Sequence, residues 1–105
     1  MMELNLETAA RGFAAAGSDS RLSVLQLLVR AGDSGLNVGE IREKTGIPAS
    51  TLAHHIRTLA EAGLVSQIKS GRTTLNRAHF ENLRALADYL LEECCADAGD
   101  GKNHC

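Results

Sequence analysis

The most chemically distinctive residues of this chain are its three cysteines, which all lie within the last twelve positions. Cys94 and Cys95 are adjacent, and Cys105 is the final residue. An odd number of cysteines at one end is a poor disulfide framework, whereas thiolates are the ligands that soft metal ions prefer. With His104 they could supply the four ligands of zinc, and adjacent thiols can also be oxidised. We therefore predict a thiol site; the simpler alternative is that Cys94 only fills the core.

Charge is segregated along the chain, although the overall net charge is only −2. Residues 39–84 carry seven Lys and Arg against four Asp and Glu. Residues 85–105 carry one Lys against five acids. The middle of the chain is therefore suited to face a polyanion, and the tail is not.

Composition excludes several classes of protein. The chain has 105 residues, of which 44 % are hydrophobic, enough for one domain. Its few aromatic residues, Phe13, Phe80 and Tyr89, argue against an all-β sandwich and against a stacking platform for single-stranded nucleic acid. No apolar run is long enough to predict a membrane span or an export signal, so we expect a cytoplasmic protein with reduced thiols. Neither a nucleotide-binding glycine loop nor a Ser-His-Asp set is visible, so we do not expect an enzyme.

Helical patterns dominate the first two thirds of the sequence. "NLETAARGFAAAG" predicts a first helix ending at Gly17, and "SDSRLSVLQLLVRAG" predicts a second ending at Gly32. The second carries an apolar stripe made of Leu22, Leu25, Leu28 and Val29. A short helix capped by Asn37 is followed by a turn at Thr45-Gly46 and by the helix "ASTLAHHIRTLAEAG". In that helix we expect Leu52, Ile56 and Leu59 to be buried. Two helices joined by a short glycine turn match a helix-turn-helix.

The last third of the sequence changes period and then becomes helical again. Residues 64–69 and 72–76 predict two strands around a Ser70-Gly71 turn. "AHFENLRALADYLLEECC" predicts a closing helix with a stripe at Phe80, Leu83, Ala87, Leu90 and Cys94. The fold class is therefore mainly α with a β-hairpin wing, a winged helix-turn-helix in the order helix-helix-helix-helix-strand-strand-helix. We assign residues 1–95 to one DNA-binding and dimerisation domain, and residues 96–105 to a flexible tail containing Cys105.

This architecture indicates where duplex DNA would bind. The second helix of the motif enters the major groove, and the wing contacts the backbone or the minor groove. By that analogy from fold, the predicted DNA-binding residues are Ser50, Thr51, Ala53, His54, His55, Arg57, Lys69 and Arg72. Because winged helices also mediate protein contacts, a protein-interaction module is the alternative from another class. Steep salt dependence of duplex binding distinguishes the two.

Residues 10–95 resemble the ArsR-type (ArsR/SmtB) metalloregulators. The likeness rests on "SRLSVLQLLVRAG", on "STLAHHIRTLAEAGLV" and on the basic wing "KSGRTTL". The resemblance implies a homodimeric transcriptional repressor that pairs through its first and last helices. It also implies that binding of an inducer releases operator DNA. Ala53 departs from the family pattern, because many members have a polar residue there.

The resemblance also bears on the inducer site. The family's cysteine pair on the first motif helix is absent, since that helix reads "NVGEIREK". Its Asp and His site on the last helix is not reproduced by His79, Asp88, Glu92 and Glu93. Some members instead carry adjacent cysteines near the C-terminus. That likeness implies an arsenite or methylarsenite site, with Cys94, Cys95 and Cys105 as ligands and no obligatory cofactor. Zinc or another soft metal, and a thiol-redox signal, remain the alternative inducers.

Overall fold

A computed structural model describes residues 3–98 of the chain. Within them, five α-helices and an antiparallel hairpin follow one another in the order predicted for a winged helix-turn-helix, so the fold class is confirmed. The elements are α1 (Leu6–Ala16), α2 (Asp19–Ala31), α3 (Val38–Thr45), α4 (Ala49–Glu61), β1 (Val65–Ser70), β2 (Thr73–Ala78) and α5 (Phe80–Leu91). Residues 99–105, with His104 and Cys105, lie outside the described part. The division into a 1–95 domain and a tail stays a prediction.

Side-chain caps define where the first three α-helices begin. Asn5 accepts a hydrogen bond from the Thr8 amide at 2.8 Å, and Ser18 accepts one from the Arg21 amide at 3.1 Å. At the start of α3, Asn37 and Glu40 form a reciprocal capping box. Each cap satisfies backbone amides that have no partner within the helix, so the local sequence alone fixes these boundaries.

The core packs the helix-turn-helix against α2. Leu52, Ile56 and Leu59 of α4 are buried, as predicted, against the buried face of α2. That face consists of Val24, Leu25 and Leu28, whereas Leu22 and Val29 of the predicted stripe remain 45 % and 42 % exposed. The neighbours of α2, mainly β2 and α4, therefore lie on the Val24 side of the helix. The predicted stripe was wrong at both of its ends.

The structure contains a β-bridge outside the hairpin that the sequence did not predict. Leu36 and Asn76 form an isolated antiparallel bridge with backbone hydrogen bonds of 2.9 and 2.8 Å. Asn76 is fully buried, and its side chain donates to the Leu36 carbonyl at 3.1 Å and accepts from Gln67 at 3.2 Å. This network fastens the base of the hairpin to the segment before α3.

Gly35 makes this close approach possible, which gives a testable prediction. Its φ is +66°, and a Cβ there would lie 2.7 Å from the Asn76 carbonyl oxygen. Gly32 has a similar φ of +71° but open space around its Cβ position. We expect Gly32→Ala to lower the free energy of unfolding by about 1–2 kcal/mol, and Gly35→Ala by about 1–3 kcal/mol more. Urea denaturation of both variants measures the difference; equal losses would contradict the steric argument.

The end of α5 differs from the prediction. The helix ends at Leu91, so Cys94 does not continue its apolar stripe but lies exposed in a following turn. The amides of Cys94 and Ala96 each bond to the carbonyl three residues back, and Cys95 has a φ of +64°. The last turn contains no basic residue, and acids follow it, which is unfavourable at the negative end of the helix dipole.

The start of α5 is anchored to the motif. The buried Asn82 side chain donates to the Gly63 carbonyl at 2.7 Å, directly after α4, and the His79 amide donates to the Leu64 carbonyl at 2.9 Å. Leu86 packs against Gly12 of α1, where an added Cβ would lie only 2.9 Å from it. None of the helices within residues 3–98 has the length and apolar character that crossing a membrane requires.

Candidate nucleic-acid interface and cysteine pair

The outer face of α4 is polar and solvent-exposed. Leu52, Ile56 and Leu59 turn inward, which leaves five of the residues predicted to bind DNA exposed: Ser50, Thr51, Ala53, His54 and Arg57. The helix begins directly after Pro48, with no side-chain cap and no acid in its first turn. Its N-terminal amides and their partial positive charge are therefore not neutralised by a neighbouring carboxylate.

His55 occupies a different position from the other predicted contacts. It is half-buried, and its Nδ1 atom is enclosed with no hydrogen-bond partner among residues 3–98. Burial lowers the pKa of His55, and the nearby Arg21 and His54 lower it further. The two imidazole rings lie 6.1 Å apart and are tilted by 50°. His54 is therefore the more accessible imidazole of the pair.

The lowered pKa of His55 predicts a specific pH dependence of stability. Below its ordinary pKa of about 6.5, the unfolded chain binds a proton that the folded chain resists. The contribution of His55 is therefore fully present above that pH and is lost as the pH falls toward the folded-state pKa. We expect unfolding free energy to fall more steeply between about pH 7 and pH 5 for wild type than for His55→Gln. His54→Gln, at the exposed position, is the control; identical profiles for wild type and His55→Gln would refute this.

The hairpin carries two exposed basic side chains at its tip. Lys69 pairs across the hairpin with Thr74, and Arg72 occupies the turn after Gly71, which has a φ of +64°. The turn residues are therefore Gly71 and Arg72, one position later than predicted. Arg77 is half-buried at the base of the hairpin, where it lines a recess with Asp33, His79 and Glu81.

These basic side chains are available to an external anion. Within residues 3–98, the one ion pair shorter than 4.0 Å joins Arg11 and Glu7. Arg57, Lys69 and Arg72 therefore have no carboxylate partner in the described part of the chain. Their charges lie on α4 and on the adjoining hairpin, and all three were among the residues predicted from the sequence to bind DNA.

The cysteine pair lies at the opposite end of α5 from the motif. The Sγ atoms of Cys94 and Cys95 are 3.5 Å apart, with Cys94 exposed and Cys95 half-buried. Across residues 3–98, no three His, Cys, Asp or Glu side chains come together as a metal-binding group. His79, Asp88, Glu92 and Glu93 therefore do not form a site within one chain. The third predicted thiol, Cys105, lies outside the described residues.

Comparison with known proteins agrees with this geometry. A family model described as a helix-turn-helix domain matches residues 16–68. An ArsR-like transcriptional regulator from Rhodococcus sp. RHA1 superposes with a TM-score of 0.74 and 26 % identity, over 88 % of this chain and 83 % of that one. This chain belongs to the ArsR family. The DNA-binding fold of this ArsR-family regulator is thus supported by its sequence and by its structure.

Two further relatives of this ArsR-family chain are informative. A homodimeric winged helix-turn-helix DNA-binding domain from Mycobacterium bovis matches with a TM-score of 0.67 and 25 % identity, over 100 % of this chain and 98 % of that one. YceK of Bacillus subtilis (strain 168), an uncharacterized HTH-type transcriptional regulator, is 39 % identical over 64 residues. That alignment covers 61 % of this chain and 63 % of YceK, so the chain spans just under two thirds of this curated relative.

Proposed function

We propose that this ArsR-family regulator is a homodimeric repressor that releases operator DNA when a trivalent arsenical binds Cys94 and Cys95. The observation that carries the inducer assignment is the 3.5 Å separation of the two sulfur atoms. Such a repressor acts in the cytoplasm, where its thiols stay reduced. It binds and releases ligands and catalyses no reaction.

The DNA-binding half of the proposal rests on α4 and the hairpin. Ser50, Thr51 and His54 offer donors and acceptors for base edges at the exposed N-terminal part of α4. Arg57, Lys69 and Arg72 are exposed and have no intramolecular carboxylate within the described residues. Phosphate contacts from such side chains supply most of the affinity and make it dependent on salt.

The proposal of a dimer is supported by exposed apolar residues on the first and last helices. On α1 these are Leu6 and Phe13, and on α5 they are Phe80, Leu90 and Leu91. Side chains of this size at the surface of a small domain indicate a contact with another molecule. The homodimeric relative from Mycobacterium bovis supports a second copy of the same chain as that molecule.

The inducer half rests on the geometry of the thiol pair. Two bonds of about 2.3 Å, the length typical of zinc–sulfur, can bridge sulfurs that are 3.5 Å apart. A monomethylated arsenical needs only two thiolates, whereas arsenite takes a third, which Cys105 would supply. Zinc requires four ligands, and the described residues offer two at this position. Methylarsenite is therefore the inducer that Cys94 and Cys95 can bind without a further ligand.

The coupling between inducer and DNA would pass along α5. The cysteines follow directly on the C-terminal end of α5, and Asn82 near its N-terminal end is hydrogen-bonded to Gly63, at the end of α4. A displacement of α5 would therefore be transmitted to the position of α4 relative to its copy in the dimer. A coupling free energy of about 1–3 kcal/mol would lower DNA affinity about 5- to 150-fold.

Fluorescence anisotropy of the reduced protein on its promoter DNA tests the proposal. The protein is titrated onto the duplex at several salt concentrations, and the complex is then titrated with methylarsenite, arsenite and zinc in parallel. We expect steep salt dependence and release by near-stoichiometric arsenical. If the protein stays bound to DNA when arsenicals are added, the arsenic site is wrong, and zinc or a thiol-redox signal becomes the proposed inducer. Absence of salt-dependent duplex binding would favour a protein-interaction module.

A further inference from the structure

One hydroxyl group joins the end of α3 to the chain that enters α4. Thr45, the last residue of α3, is half-buried. Its Oγ1 atom donates a hydrogen bond to the Ile41 carbonyl at 2.8 Å and accepts one from the Ile47 amide at 3.2 Å. A threonine hydroxyl can both donate and accept, and here it does both with the backbone. The Thr45 side chain therefore links backbone groups on the two sides of Gly46.

Both ends of this link are anchored in the fold. Ile41 is fully buried, and the half-buried Ile47 packs against the core. Gly46 has a φ of +75°, and its amide closes α3 by donating to the Arg42 carbonyl at 2.8 Å. The Thr45 hydroxyl extends this closure to Ile47, whose amide is the last N–H before α4, because the proline that follows has none.

The start of α4 depends on this turn for its direction. α4 follows Pro48 without a side-chain cap, whereas α1, α2 and α3 each begin with one. Ser50, Thr51 and His54, which we propose to contact base edges, all lie near the N-terminal end of α4. A displacement of the start of α4 therefore moves these three side chains together.

Base contacts and phosphate contacts respond differently to such a displacement. Hydrogen bonds to base edges require a narrow range of distance and angle. Arg57, Lys69 and Arg72 would instead reach phosphates with long side chains, and the last two belong to the hairpin rather than to α4. Loss of the Thr45 link should therefore weaken recognition of the operator sequence more than binding to duplex DNA in general.

We infer that Thr45 is a positioning residue for sequence recognition, whose hydroxyl fixes the direction of α4 from the end of α3. The inference rests on the proposed DNA binding and specifies what orients the helix that reads the bases. Thr58 offers a contrast within α4, because its hydroxyl donates to the His54 carbonyl at 3.1 Å and this bond stays inside one helix.

Substitution of the hydroxyl tests this role. Thr45→Val keeps the branched shape and removes both hydrogen bonds, Thr45→Ala removes them with a smaller side chain, and Thr45→Ser keeps the hydroxyl. In fluorescence anisotropy of the reduced protein, we expect Thr45→Val and Thr45→Ala to lower affinity for the promoter duplex about tenfold. Affinity for an unrelated duplex should fall less than about twofold, and the dependence on salt should not change, because no phosphate contact is lost.

Two controls accompany this experiment. Thr45→Ser and Thr58→Val should each stay within about twofold of wild type on both duplexes. Urea denaturation gives the temperature at which all variants are folded, and affinities are compared there. The positioning role would be overturned by equal losses on both duplexes, by no loss in Thr45→Val and Thr45→Ala, or by a failure of Thr45→Ser to retain operator affinity. Wild-type protein without salt-dependent binding to either duplex would overturn the proposed function itself.

Discussion

Protein carrying Cys94→Ser or Cys95→Ser is expected to bind operator DNA as wild type does and to stay bound when methylarsenite is added. Each substitution removes one of two sulfurs that lie 3.5 Å apart, so the ligand loses its second bond to the protein. Wild type should lose about 5- to 150-fold in DNA affinity on adding the arsenical. Each variant should lose less than about twofold, as measured by anisotropy on the same duplex.

The positions of Cys94 and Cys95 allow substitution by serine without disturbing the fold. Cys94 is exposed and Cys95 is half-buried in a turn beyond α5, so serine leaves no cavity in the core. Cys105→Ser is the matched comparison. If it blocks the response to arsenite but not to methylarsenite, three thiols bind arsenite and two suffice for the methylated form. Loss of DNA binding in Cys94→Ser would instead show that the cysteines have a structural role. If Cys94→Ser still releases DNA when methylarsenite is added, Cys94 is not part of the inducer site.

The second large effect is expected at the hairpin tip. Replacing both Lys69 and Arg72 with alanine removes up to four phosphate contacts from a dimer. Both side chains are exposed, and neither forms an ion pair with a carboxylate of residues 3–98. Each lost contact lowers the slope of log affinity against log salt by about 0.9. The slope should therefore fall by about three to four, and affinity at physiological salt should fall at least about tenfold, whatever the DNA sequence.

Arg30→Ala is the control for this experiment, because Arg30 is also exposed but belongs to α2 and not to α4 or the hairpin. Its salt slope should equal that of wild type. His54→Ala provides a contrast, since loss of a base contact weakens the operator complex more than a complex with unrelated duplex. An unchanged slope in the Lys69 and Arg72 double variant would mean that the hairpin does not contact phosphate.

Stability and DNA affinity are separable in these variants. The hairpin tip and the cysteine turn carry no buried side chains, whereas Gly35 and Asn76 hold the base of the hairpin inside the fold. Changes at the tip should therefore alter binding at constant unfolding free energy. Changes at the base should alter both, because the tip is oriented by the base.

The sequence by itself determined the order of elements, the Asn37 cap of α3, the buried face of α4 and the exposed basic positions Arg57, Lys69 and Arg72. These depend on interactions within a few residues, such as capping and helical periodicity. Only the tertiary structure decided which side of α2 is buried, because that depends on where β2 and α4 pack. It also revealed the bridge between Leu36 and Asn76, which are forty residues apart. The enclosure of His55 near Arg21 has the same origin, since contacts between distant elements leave no local signal in the chain.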